Sequence, residues 1–319
     1  MVAHTEDNSV ARAQVHNTNN AAVARAQQSL KVVQQPKKRS RTVAAIPRTV
    51  PNLLTDDDIL SDKRFRDVFN PTLTHALYTS DEPFLGFCDG DSFESTVQLV
   101  FDLSFPNIRL DVGDHKAILH AAQDRVKTRR SKLAKAVLDD VQKFFSSSTY
   151  KEHPSKIRDY VCWALSGGPA YFASPVPQGS TAKKGDINYV APQGFLQSIF
   201  IADIAKKFMR YVDDSALTPP LSAAHPPRAL YALILVAVER AFTSYISGAF
   251  IQPENFSHEN YWEPLKVFRG KVDLVSERAW REILAFGCED TAAGENGVDH
   301  NIQSMISAYR ADIDVPLSP

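Results

Sequence analysis

The sequence predicts a mainly α-helical fold: a single irregular multi-helix domain around a central buried helix, preceded by a disordered basic tail. Three observations carry this. From residue 51 onward, apolar residues recur at steps of three, four and seven, punctuated by cap residues and by Pro or Gly. The run Ala229 to Val238, ALYALILVAV, is apolar nearly all round, as suits a helix packed on every side. The first 50 residues contain no aromatic side chain and no periodic apolar order, so they cannot bury enough surface to offset their ordering entropy. The tail is therefore assigned to residues 1–50 and the globular domain to 51–312.

The elements follow in order. TDDDILSDKRFRDVF (55–69) offers Thr55 or Asp56 as an N-cap, with acids in the first turn and cations later, which suits the helix dipole. Asn70-Pro71 restarts a helix at Pro71, which ends before Pro83 and turns Leu73, Leu77 and Tyr78 inward. Asp91 and Glu94 have capping-box spacing ahead of Phe93, Val97, Val100 and Phe101, and Phe105-Pro106-Asn107 breaks that helix. Asp114 is expected to cap a long helix over 115–145, whose Ile118, Ala122, Val126, Leu133, Val137 and Val141 share one face. A helix over 154–165 stops at Gly167-Gly168-Pro169. The Pro- and Gly-rich stretch 173–194 is the main internal loop, with Tyr171-Phe172 and residues 187–189 pairing as a short hairpin within 171–190. Helices are then expected over 194–212, 227–249 (the central one), 257–269 and 275–286, with a weaker one over 299–311.

Composition narrows the class. Of 319 residues, 44% are hydrophobic and 23% charged, which is enough apolar surface for one large core or two small ones. Cys88, Cys162 and Cys288 are few, odd in number and far apart, so neither a disulfide framework nor a zinc site is expected, and a reducing compartment is. The N-terminus has no secretory apolar region, and ALYALILVAV is about half the roughly 20 residues a bilayer span needs. No membrane association is expected. The formal net charge is −1, but it is unevenly spread. Residues 1–50 carry eight basic and two acidic residues, a net +6; the remaining 28 basic and 35 acidic residues leave the body at −7.

From about residue 65 to 270 four segments carry a likeness. They are the 70–84 helix closing in Ser80-Asp81-Glu82-Pro83-Phe84, the cation-studded RVKTRRSKLAKAVLDDVQKFF (125–145), the Pro/aromatic loop leading into FLQSIFIADIAKKFM (195–209), and PPRALYALILVAVERAFTSYISGAF (226–250) followed by Phe256 and Tyr261. In these the chain resembles a domain family of unknown function common in basidiomycete fungi. The resemblance implies a fungal, helical, non-secreted protein with flexible basic or polar extensions, and implies no activity. One departure is Ala191-Pro192, where the family has His-Pro before the 195–209 helix.

Two basic features are the candidate binding residues. Lys37, Lys38, Arg39 and Arg41 cluster in an extended stretch, the pattern that docks in the acidic grooves of nuclear import receptors. On the long helix Arg125, Arg129 and Lys132 form a stripe beside the apolar face that can track phosphates, while Arg130 lies nearer the buried side. The ordinary alternative is a solvated helix flank, paired with Asp124, Asp139 and Asp140. No phosphate-cradling glycine loop, dinucleotide fingerprint or nucleophile elbow is present. His115 and His120 are five apart and so on different helix faces, and no cofactor or metal is expected. Asp89, Asp91 and Glu94 lack the Gly and Glu positions of a calcium loop.

The function expected on these grounds is a non-enzymatic interaction domain in the nucleus, with the cytoplasm as the alternative, binding protein or nucleic acid. The competing expectation is an enzyme with a pocket beside the 173–194 loop.

Overall fold

The chain divides between Asn52 and Leu53 into two units. A computed structural model describes residues 55–87 and 90–286, all within the second. Lys37, Lys38, Arg39, Arg41 and the helix expected over 299–311 lie outside the described residues. The fold is mainly α, with nine helices and one two-stranded sheet among the described residues. None of these helices is long and apolar enough to cross a membrane.

Helix α1 (Asp56–Ser61) starts at Thr55 as the sequence requires. Thr55 Oγ1 accepts from the Asp58 amide at 3.2 Å, and Asp58 Oδ2 accepts from the Thr55 amide at 2.9 Å. The expected 55–69 helix is interrupted at Asp62, whose carboxylate accepts from the Arg64 amide at 2.7 Å. The chain then winds as a π turn over Phe65–Phe69 and runs directly into α2 (Asn70–Thr79). Pro71 is therefore not a restart. The wider winding, in which the Asn70 amide reaches Phe65 O, accommodates a residue with no N–H to donate.

Helix α3 (Asp91–Ser104) is capped by Gly90 at φ 96°, not by an Asp91–Glu94 box; Asp91 is already helical. Helix α4 (Lys116–Phe145) begins one residue after His115, because Asp114 belongs to a short 3-10 turn over Val112–Asp114. His115 Nδ1 instead bonds Asp56 Oδ1, tying the start of α4 to α1. Helix α5 (Pro154–Leu165) matches its expected bounds.

The hairpin has a different partner from the one expected. β1 (Phe172–Ser174) pairs antiparallel with β2 (Gln193–Phe195), Phe172 opposite Phe195 and Ser174 opposite Gln193. Residues 187–189 lie outside the strands, with Ile187 fully exposed. The strand occupies what the apolar period assigns to the start of a helix. The reason is Gly194 at φ 67°, where a Cβ would stand 2.7 Å from that of Ala173. Helix α6 (Ile199–Met209) begins only after Ser198, whose Oγ accepts from the Phe200 amide at 3.2 Å. A 3-10 turn over Arg210–Val212 follows.

Helix α7 (Arg228–Thr243) is central. Every residue from Ala229 to Val238 is buried, and the helix packs on α2, α4, α5, α6 and α8 (His258–Asp273). It ends earlier than expected, since the chain turns at 244–250 and Gly248 takes φ 89° there. The Tyr231 ring of α7 meets Trp280 of α9 (Glu277–Phe286) edge-on at 5.1 Å. Glu239 and Arg240 mark where α7 surfaces. They are not partners: Tyr171 OH donates to Glu239 at 3.4 Å, and Arg240 bonds the Glu254 carbonyl at 2.9 and 2.7 Å.

Candidate functional site

Helix α4 positions the basic residues. Its apolar face fixes the helix on α7, α2 and α6, and the cations fall where the remaining faces point. Lys127 and Lys132 are exposed. Lys135 is also exposed and is paired with Asp139 at 2.9 Å. Arg130 is buried and serves the fold. Its Nη1 donates to the Pro83 and Phe84 carbonyls at 2.9 and 3.1 Å, and the guanidinium sits 5.1 Å from the Phe84 ring centroid.

The stripe read from the sequence splits by depth. Lys132 is in solvent, Arg125 is partly buried and Arg129 is buried, at 9% exposure. Arg125 Nε donates to Asn70 Oδ1 at 3.1 Å. Burial, and secondarily the Arg129 charge, lowers the Arg125 pKa from its ordinary value. Arg129 lies beneath Tyr211, its guanidinium carbon 3.4 Å from the ring centroid. Among the described residues no carboxylate forms an ion pair with Arg129, and its Nε has no hydrogen-bond partner.

Energetics make that arrangement notable. Arginine does not give up its proton in a protein, so its charge persists wherever it is placed. Taking a cation out of water costs several kcal/mol, while stacking on an aromatic ring returns roughly 0.5–2 kcal/mol. The Tyr211 ring uses only the face of the guanidinium; the in-plane donor at Nε is unused.

Arg129 is not isolated in this. The segment 210–217 lies as a strap across α2, held there by three polar contacts or stacks. Tyr211 covers Arg129; Ser215 Oγ bonds His75 Nδ1 at 3.0 Å; and the Ala216 amide donates to Thr72 Oγ1 at 2.9 Å. Thr72, His75 and Tyr78 are three apart on α2, all buried, and form a polar row under the strap. Tyr78 OH has no partner. Burial pushes the Tyr78 phenol well up, with the Arg129 charge opposing and nearby Tyr211 adding to the rise. Burial likewise lowers His75 from its ordinary 6.5.

Sequence reasoning found Arg125, Arg129 and Lys132 but missed Tyr78, His75, Tyr211 and Ser215. The His75–Ser215 contact joins positions 140 residues apart, which no local pattern reports. A signal did exist in Thr72-x-x-His75-x-x-Tyr78, a polar line at helical spacing beside the inward Leu73 and Leu77.

No protein-family model, curated protein or solved structure matches this chain.

Two concavities lie elsewhere. One, of about 260 Å³, sits between Pro83, Ala232, Trp262 and Arg269; the other, of about 140 Å³, sits between Phe93, Glu94, Lys116 and His120. Neither is lined by residues 173–194, the stretch expected to border an enzyme pocket. In the first, Arg269 is engaged by the Ser80 carbonyl, Asp81 and Asp273 at 2.7, 2.7 and 2.9 Å. Among the described residues no three His, Cys, Asp or Glu side chains group as a metal site would require.

Proposed function

We propose that the protein is a non-enzymatic nuclear interaction domain whose partner is a nucleic acid. The observation that carries this reading is the uncancelled positive charge in the middle of α4, where Lys132 stands in solvent one turn from Arg129, a cation that no carboxylate pairs among the described residues. A charged polymer of phosphates is the partner that such a cationic stripe recognises best, since each neutralised phosphate releases condensed counterions. The body is net acidic, so contact is confined to this helix and to the basic tail. The tail brings +6, and Lys37, Lys38, Arg39 and Arg41 are its address to the import machinery. The likeness to a basidiomycete fungal family adds no activity to this reading.

Two experiments test it. Affinity of the full chain for a short DNA duplex should fall steeply as salt rises from 50 to 200 mM, and Lys132→Ala should make the log–log slope shallower by about one, for the phosphate no longer neutralised. Binding that ignores salt, or no binding, would move the reading to a protein partner. A fluorescent fusion in which Lys37, Lys38, Arg39 and Arg41 are changed to Ala should leave the nucleus; unchanged nuclear retention removes the address.

A further inference from the structure

We propose that the polar seam beneath the 210–217 strap is a binding site for a single phosphate monoester group, distinct from the exposed cations that would follow a phosphodiester backbone. Arg129 lends the proposed function above only its charge, since a backbone phosphate does not reach it; here it contacts the ligand.

The seam is built as such a site would be. Arg129 supplies a permanent charge and a planar edge of N–H donors, the geometry that pairs bidentately with a tetrahedral oxyanion. Its stacking on Tyr211 occupies the face and leaves that edge unused at Nε. Tyr78 OH is a second unused donor, on a residue with no solvent exposure. Tyr78 follows His75 by three residues on α2, where the segment that carries Tyr211 over Arg129 is hydrogen-bonded to His75 and Thr72, so the three groups line one seam. Arg125, fixed by Asn70, adds a second cation on the same side of α4. Two donors without partners beside a cation without a counter-ion are what an oxyanion satisfies in one step.

Depth decides which oxyanion. A diester continues as chain on both sides and needs an open groove. Arg129 keeps only 9% exposure, and the strap crosses over it. A free ion or a chain-terminal phosphate can enter where a backbone phosphate cannot. The strap itself is the element that shifts to admit it. It is held to α2 by two hydrogen bonds, Ser215 to His75 and Ala216 to Thr72, and its apolar anchor, Val212, is only partly buried.

Calorimetric titration of the full chain with inorganic phosphate tests the site. The expected result is saturable one-to-one binding, weakened about tenfold or more in Tyr78→Phe, where a hydrogen bond to a charged group is removed. Tyr78→Phe is chosen because it conserves the ring in the core. Its melting temperature in phosphate-free buffer should equal or exceed the parent's, so weaker binding cannot be put down to unfolding. No saturable binding up to millimolar phosphate overturns the proposal. So does equal binding by Tyr78→Phe, which would mean an ion attracted to surface lysines only. Competition by a 5′-phosphorylated oligonucleotide, but not by its 5′-hydroxyl counterpart, identifies a nucleic-acid end as the source of the group; competition by neither identifies free phosphate. The 5′-hydroxyl oligonucleotide's own salt-dependent binding tests the nucleic-acid reading separately, so either can fail without the other.

Discussion

His75 Nδ1 and Ser215 Oγ stand 3.0 Å apart, a hydrogen bond that holds the 210–217 strap to α2. Burial lowers the His75 pKa below its ordinary 6.5, so the folded protein favours the neutral ring. The sign follows from linkage. The unfolded chain binds the proton more readily, so this contribution to stability is fully present above about pH 6.5 and is lost as pH falls through the depressed folded value. Hydrogen exchange at the Ala216 and Leu217 amides, corrected for intrinsic rates, should accelerate between pH 7 and pH 5. His75→Gln should flatten that response. A titration shift by NMR placing His75 at or above 6.5 would contradict it.

Gly248 and Gly270 should respond oppositely to alanine. Gly248 takes φ 89°, and a Cβ there would lie 2.3 Å from the Pro154 carbonyl oxygen. Gly248→Ala should cost more than about 1 kcal/mol, from left-handed strain plus the clash. Gly270 lies inside α8 with nothing within 4 Å of its added Cβ. Gly270→Ala should stabilise by roughly 0.5–1 kcal/mol. Urea denaturation of the two variants checks the pair.

Trp280 is fully buried and packs α9 against Tyr231 of α7. Trp280→Ala should destabilise by about 3–5 kcal/mol through cavity formation and forfeited transfer energy. Trp280→Phe should retain much of that. If the alanine variant melted like the parent, α9 would not be part of the cooperative body.

Removing the α1 cap should be milder. Thr55 is exposed, so Thr55→Ala deletes only the bond its Oγ1 accepts from the Asp58 amide and the one it donates to the Asp58 carboxylate, costing about 1 kcal/mol. An α1 that is unaffected would mean that Ile59 burial and the His115–Asp56 contact fix the helix without its cap.

Helices are legible where local signals govern them. The 154–165 helix is bounded by Pro154 and the Gly167-Gly168 pair, and α7 by the density of apolar residues, because packing demand is written in composition. Where long-range contacts compete, local reading fails. Asp114 has the chemistry of an N-cap, yet His115 takes the position because its ring reaches Asp56 on α1. Gly194 and Phe195 fall at the start of the expected 194–212 helix, yet Gly194 packs against Ala173 and they lie in a strand. The candidate site shows the same division. Periodicity places Arg125, Arg129 and Lys132 together, but depth is set by what lies on top. Tyr211 comes from a turn whose position over α4 no spacing rule reports.

The burial of α7 on all sides also sets a schedule for synthesis. Helices α2, α4, α5 and α6 each rest part of their apolar surface on α7, which is made after all of them. Roughly 150 residues separate the end of α2 from the start of α7, on the order of 8 to 30 seconds of translation at ordinary elongation rates. For that interval Leu73 and Leu77, and for a shorter one Val137 and Val141, lack the helix that completes their core. A nascent chain stalled before Arg228 should therefore depend on chaperones, and one released after α7 has emerged should not.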